Sequence, residues 1–193
     1  MYQRGISFMR VISGTARGKK LSSLEGLETR PTLDRVKEAL FNIIQFDLKD
    51  AKILDLFSGS GALAIEALSR GAKEAILCDN SNKAVQIINK NLKDTRLDNK
   101  AKVIKKDYLS TIQQLHDESK KFDIIFLDPP YKTNYVINAI EQIIEQNLLE
   151  EKGIIIVETD DKNKIEEIKK NNSIEVYDER KYGIVFIIFV RKG

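Results

Sequence analysis

The chain has 193 residues, 42% of them hydrophobic and 32% charged, which suits one domain with a real core and a short appendage. No apolar run reaches the roughly 18 residues a membrane span needs, residues 1–8 lack the apolar stretch of a secretory leader, and a lone cysteine fits a reducing cytoplasm. Net charge is +3, but residues 1–37 hold eight Lys/Arg against three acids, leaving −2 for the remainder, so a local polyanion-binding surface is expected at that end.

In chain order, 9–12 and 19–21 flank the turn-rich Ser13-Gly14-Thr15-Ala16-Arg17-Gly18 and predict a small hairpin. A helix follows from Pro31-Thr32, with Thr32 as its N-cap and an apolar stripe at Leu33, Val36, Leu40, Ile43 and Ile44. Arg35 and Lys37 are expected to face outward from it. Beyond residue 50, strand-like segments at 52–56, 75–79, 102–106, 123–127, 153–158, 173–177 and 183–190 alternate with helices starting near Gly61, Asn82, Tyr108, Thr133 and Lys162. The helix after Thr133 is read from Ile137, Ile140, Ile144 and Leu148, spaced by threes and fours. Continuous apolar runs such as Ile124-Ile125-Phe126-Leu127 are what a strand covered on both faces needs. The pattern is doubly wound α/β: a mostly parallel seven-stranded sheet, ending in an antiparallel hairpin turned at 179–183. Two regions are expected, a basic hairpin-and-helix appendage over 1–50 and the α/β body over 51–193.

Asp55-Leu56-Phe57-Ser58-Gly59-Ser60-Gly61 joins the first strand of this body to its helix. Glycines let the backbone approach a ligand, and a helix N-terminus offers free N–H groups to an anion. The loop is ambiguous: Gly59 to Ala64 fits the dinucleotide pattern G-x-G-x-x-[G/A], with Asp79 twenty residues on, where an acid holds a ribose. Asp55 leans the other way. A dinucleotide brings no positive group to it, whereas a methionine-like moiety brings an amino group.

Asp128-Pro129-Pro130-Tyr131 opens directly from a strand, at the end of the sheet where such folds bind ligands. The exocyclic amine of a nucleobase is a poor nucleophile because its lone pair is delocalised. A carboxylate (Asp128) and a backbone carbonyl (Pro129), each accepting one N–H, draw its nitrogen towards tetrahedral geometry. Pro130 stiffens the turn, and Tyr131 offers a ring on which a flipped base stacks. Cys78 reads as a small buried hydrophobe rather than a nucleophile. One histidine, His116, with no cysteine cluster matches none of the usual zinc patterns, so no metal is expected.

Asp-Pro-Pro-Tyr after the fourth strand, with Phe-Ser-Gly-Ser-Gly after the first, resembles the class I amino-methyltransferases. The segment Met9-Arg10-Val11-Ile12-Ser13-Gly14-Thr15-Ala16-Arg17-Gly18-Lys19-Lys20-Leu21, then Arg30-Pro31-Thr32 and Arg35 to Asn42, resembles the RsmD family of 16S ribosomal RNA guanine-N2 methyltransferases. The likeness runs from Met9 nearly to the end and leaves 1–8 as an extension. It implies S-adenosylmethionine as cofactor, with Asp55, Phe57, Ser58, Gly59 and Gly61 along its methionine end, Asp79 and Asn80 at the ribose, and Asp107 and Tyr108 at the adenine. It also implies 16S rRNA as partner, within an assembled or assembling small subunit, and the densest basic residues of the N-terminal segment, Arg10, Arg17, Lys19, Lys20, Arg35 and Lys37, are the expected RNA-docking surface. The rivals are an adenine-N6 enzyme and a protein-glutamine methyltransferase within the class, and a nicotinamide-binding oxidoreductase or a non-catalytic RNA-binding assembly factor outside it.

Overall fold

The computed structural model describes residues 9–23, 31–129 and 134–193, without the side chains of 31–33. Seven strands, β1 (Lys52–Asp55), β2 (Glu74–Cys78), β3 (Ala101–Ile104), β4 (Phe122–Leu127), β5 (Leu149–Thr159), β6 (Ile174–Tyr182) and β7 (Val185–Lys192), form one sheet in the order β3-β2-β1-β4-β5-β7-β6. The first five run parallel and β7 is antiparallel to both of its neighbours. The chain builds outward from β1 to β3, then returns to lay β4 on the other side of β1. That reversal opens a crevice at the carboxyl ends of β1 and β4, where doubly wound sheets take ligands.

Helices α1 (Pro31–Ile43), α2 (Ala62–Ser69) and α3 (Asn82–Thr95) cover one face, and α4 (Tyr108–Asp117), α5 (Tyr135–Glu145) and α6 (Lys162–Lys169) the other. The alternation along each strand produces two cores. Ile53, Ile124, Phe126, Ile156 and Phe189 meet Val36, Leu40, Phe41 and Ile44 of the first helix. Leu54, Ile125, Leu127, Ile155 and Val157 meet Ile112, Ile140 and Ile165 on the second face. No helix among the described residues is long and apolar enough to cross a membrane.

Several local expectations are corrected. The helix α1 begins at Pro31, so Thr32 lies in its first turn rather than at the cap; the Leu33 side chain lies outside the described residues. The buried face of α5 is centred on Val136, Ala139, Ile140 and Ile143, with Ile137 and Ile144 at its borders. The final hairpin turns later than 179–183, because β6 runs to Tyr182. Asp178-Glu179-Arg180-Lys181 has no polar–apolar alternation to reveal a strand; it pairs because the apolar edge of β7 needs a backbone partner. The N-terminal hairpin is reduced to a single antiparallel bridge, Arg10 to Lys20, supported by Val11 N–H donating to Lys19 O at 2.9 Å and Leu21 N–H to Met9 O at 2.7 Å. Val11, Ala16 and Leu21 are buried in the same core as the first sheet face.

Candidate active site

Asp55 is the last residue of β1, and the loop behind it is built around its own backbone. The Ser58 hydroxyl donates to Asp55 O at 2.8 Å, Ser58 N–H donates to Cys78 O at 3.0 Å, and Gly61 N–H closes on Ser58 O at 2.6 Å. Gly61, with φ of 79°, caps α2 in a left-handed conformation; a Cβ there would sit 3.0 Å from Leu77 Cδ2. The left-handed conformation favours glycine, and a Cβ would require the Leu77 side chain to give way. Asp79 braces the loop: Oδ2 accepts from Gly59 N–H at 3.0 Å and Oδ1 from Ser81 N–H at 2.8 Å. A carboxylate has about four lone-pair sites, so it keeps capacity for further hydroxyl donors. Asn80 is exposed beside it.

The pairing register aligns three acids. Asp55 lies opposite Phe126, Phe126 opposite Ile156, and Leu127 opposite Val157. Successive side chains alternate between faces, so Asp55, Asp128 and Glu158 point to the same side of the sheet from three adjacent strands. Asp55 is 1% exposed, and its Oδ1 has no hydrogen-bond partner among the described residues. Burial, then the nearby Asp128, push its pKa up to about 7, against opposing hydrogen bonds from Ser58 and from the N–H groups of Ala64 and Phe57. Burial raises Asp128 too; Glu158 is raised by burial and then by Asp128. A row of crowded, under-partnered acids is a site that gains by receiving cations or N–H donors. Pro129 follows, buried; Pro130 and Tyr131 lie outside the described residues.

An aromatic group, of which Phe57 and Tyr108 pack against the second core, gathers after the glycine loop. Phe57 and Tyr108 have ring centroids 5.2 Å apart, Tyr108 and Tyr135 5.2 Å, and Phe57 stacks parallel to Tyr135 at 6.2 Å. Tyr135 is 42% exposed. Asp107 is the N-cap of α4, accepting from Ser110 N–H at 3.0 Å and Ser110 Oγ at 2.7 Å, bonds that hold its carboxyl below the usual range. Cys78 is enclosed, its thiol 3.0 Å from Thr111 Oγ1 and pushed up to about 11 by burial. Such a thiol is not a nucleophile at neutral pH. His116 Nδ1 lies 2.9 Å from Gln146 O, away from these groups.

The basic segment docks on α2. Glu66, fully buried, accepts from Ile12 N–H at 2.8 Å, Ser13 N–H at 3.0 Å and Arg70 Nε at 2.7 Å. Asn91 of α3 exchanges hydrogen bonds with the Ser22 backbone and donates to Ser60 O in the glycine loop at 2.9 Å. The expectation that Lys37 faces outward is corrected: it is 7% exposed, donates to Arg10 O at 2.6 Å and lies 3.6 Å from Glu66. An ammonium cannot remain buried beside a buried carboxylate and also offer itself to solvent; burial lowers its pKa while Glu66 opposes that shift. Arg10, exposed, lies 3.7 Å from Asp34; Arg17, Lys19, Lys20 and Arg35 are exposed.

Glu158, Tyr135 and Glu66 escaped the sequence reading. Glu158 had a usable signal: like Asp55 and Asp128, it is an acid just past a buried apolar run. Nothing in the sequence pairs Glu66 with residues 12 and 13.

A family model described as "Conserved hypothetical protein 95" matches residues 9–191. The chain is 43% identical over 152 residues to a "Putative rRNA methyltransferase YlbH" of Bacillus subtilis, covering 79% of this chain and 83% of that protein. It is 34% identical over 170 residues to the "Ribosomal RNA small subunit methyltransferase D" of Escherichia coli, covering 88% and 84%. A solved structure described as a putative methyltransferase from Escherichia coli matches with a TM-score of 0.82 at 29% identity, over 96% of this chain and 98% of that one.

Proposed function

The chain belongs to the conserved hypothetical protein 95 family, the RsmD family of its sequence resemblance, and on that premise we propose that it transfers a methyl group from S-adenosylmethionine to the N2 amine of a guanine in 16S ribosomal RNA. The observation that carries the reading is the buried Oδ1 of Asp55, unpartnered among the described residues, beside Asp128. It fits the ammonium of a methionine moiety, which a nicotinamide dinucleotide lacks. Asp79 retains acceptor capacity for ribose hydroxyls, and the glycine loop lets backbone come close at the same end of the sheet. When bound, the cofactor supplies an electrophilic methyl on a sulfonium.

The protein's part is positioning and electrostatics. The Asp128 carboxylate and the Pro129 carbonyl each accept one N–H of the base amine, concentrating its lone pair on the side that meets the methyl. On taking the methyl from the cofactor's sulfonium, the amine would give up one proton. Asp128, weakened as an acid by burial, is a suited acceptor. Tyr131, following in sequence, supplies the stacking ring. Residues 1–50 serve as the RNA-docking part and 51–193 as the catalytic part, with ribosomal RNA in the cytoplasm as the target.

The test is methyl incorporation from labelled S-adenosylmethionine into small ribosomal subunits from cells lacking this protein, with mass spectrometry of the modified nucleoside. N2-methylguanosine is the expected product; methylation at another atom, or none, overturns the reading. A thermal-shift series should show stabilisation by S-adenosylhomocysteine and none by NAD.

A further inference from the structure

We propose that Glu158 reads the base: its carboxylate accepts the N1–H of guanine while Asp128 holds the adjacent N2 amine, so that guanine is taken and adenine refused. The inference rests on the amino-methyltransferase reading and adds to it the origin of base choice. Its first support is placement. Glu158 and Asp128 follow a register pair, Leu127 opposite Val157, on strands that lie side by side, and they point to the same face at the mouth of the crevice. Adjacent strands are about 4.8 Å apart, within reach of two neighbouring atoms on one edge of a base. On its other side Glu158 pairs with Ile187 of β7, buried and apolar, so that strand offers it no counter-charge. Among the described residues, the carboxylate has neither a hydrogen-bond nor an ion-pair partner.

The second support is donor–acceptor matching. The Watson–Crick edge of guanine presents N1–H beside the N2 amine, a row of donors that suits two adjacent carboxylates. Adenine presents an amine beside the N1 lone pair, so binding its amine at Asp128 would aim that lone pair at Glu158, which opposes it whenever that carboxyl is charged. The order across the sheet also fits: Asp55 for the cofactor ammonium, Asp128 for the reacting amine, Glu158 for the next atom of the base. Each of these donors relieves the mutual repulsion of the row.

The probe is 16S rRNA ligated from synthetic and transcribed pieces, assembled into small subunits, carrying at the mapped nucleotide either guanine or 2,6-diaminopurine. The latter keeps the reacting N2 amine but has an acceptor at N1. Wild type is expected to prefer guanine in kcat/KM by at least about tenfold, the scale on which a buried polar group rejects an unmatched partner. Glu158→Gln, whose amide can donate to N1, is expected to shift that ratio towards diaminopurine by at least about tenfold, with S-adenosylhomocysteine affinity by calorimetry unchanged. Mere structural damage would lower both substrates together. A wild type that uses the two bases within about threefold, or a cofactor-binding Glu158→Gln with an unaltered ratio, overturns the inference and leaves the amino-methyltransferase reading standing. Should Glu158→Gln fail to fold, the wild-type ratio decides by the same limits. Absence of any N2-methylguanosine from wild type sinks the underlying reading and the inference with it.

Discussion

Asp55, Asp128 and Asp79 are all acids at strand ends, yet the proposed function gives each a different task, and substitution should separate them. Asp128→Ala removes an acceptor that matters most in the transition state, so kcat is expected to fall by about a hundredfold or more while S-adenosylhomocysteine affinity stays within threefold in calorimetry. Near wild-type turnover would remove Asp128 from catalysis. Asp79→Ala is expected to do the reverse, raising KM for S-adenosylmethionine with a smaller change in kcat, since ribose hydrogen bonds contribute uniform binding. The bonds from Gly59 and Ser81 are lost with it, so a lower melting temperature should accompany the effect. Asp55 adds a pH signature. Its pKa in the fold, about 7 against an ordinary 3.8, means that between those values the folded chain binds more protons than the unfolded chain. Stability from this group therefore falls as pH rises through that window, and the cost is complete above about 7. A cationic ligand relieves the cost. The ligand-free melting temperature should fall between pH 5.5 and 7.5, stabilisation by S-adenosylhomocysteine should grow over the same interval, and Asp55→Asn should shrink both trends. Pair trends that are indistinguishable from wild type in that variant would assign the pH response to other groups.

At the level of elements, α2 ties two parts of the site together. Its N-terminus carries the glycine loop, and its C-terminal half grips the turn of the basic segment: Thr15 N–H donates to Ser69 O at 2.8 Å, Ala16 N–H to Ser69 Oγ at 2.9 Å, and the Ser69 hydroxyl to Ser13 O at 2.6 Å. Gly14 makes this approach possible. Its φ is 83°, and a Cβ would fall 1.8 Å from Ser69 O, a backbone atom with little room to yield. Gly18 has nearly the same φ, 81°, but open space around its Cβ position. The pair separates strain from collision. Gly18→Ala should cost about 1 kcal/mol, the left-handed backbone alone. Gly14→Ala adds an overpacking cost of about 1–3 kcal/mol, so its melting temperature should lie several degrees below that of Gly18→Ala. Equal melting temperatures would mean that the turn is not clamped on α2 in solution.

For the molecule as a whole, charge is divided between the two ends of the chain. Residues 1–37 are strongly basic and the rest slightly acidic, and Asn91 links the basic segment to the rim of the glycine loop through Ser22 and Ser60. RNA gripped by Arg17, Lys19, Lys20 and Arg35 would thus be held beside the crevice, with the turn seated on Glu66. Phosphate contacts release counterions, with a slope of about 0.7–0.9 log units in affinity per contact per tenfold change in salt. The combined Arg17→Ala, Lys19→Ala, Lys20→Ala variant is expected to lower the salt slope of RNA binding by roughly 2–3, leaving S-adenosylhomocysteine affinity unaltered. An unchanged slope would place RNA docking elsewhere on the surface. Lys37 is expected to contribute nothing to that slope, because its ammonium is held by Arg10 O and Glu66.

The sequence by itself determined the doubly wound α/β class and the start of each helix beyond residue 50 to within two residues. These are local properties: an apolar run of strand length, a glycine that must take a left-handed turn, and an acid at a strand end are each legible in a few consecutive residues. Only the tertiary structure decided what was shared between distant segments. The length of β6 came from the backbone of β7, not from its own charged residues. Lys37 looked outward on a helical wheel, but Glu66, buried on another helix, drew it in. Glu158 became a neighbour of Asp128 through the register of β4 on β5, thirty residues apart in the chain. An element's type follows from its own residues, whereas a side chain's partner, its acidity and, as at Lys37, even its exposure depend on which elements pack together.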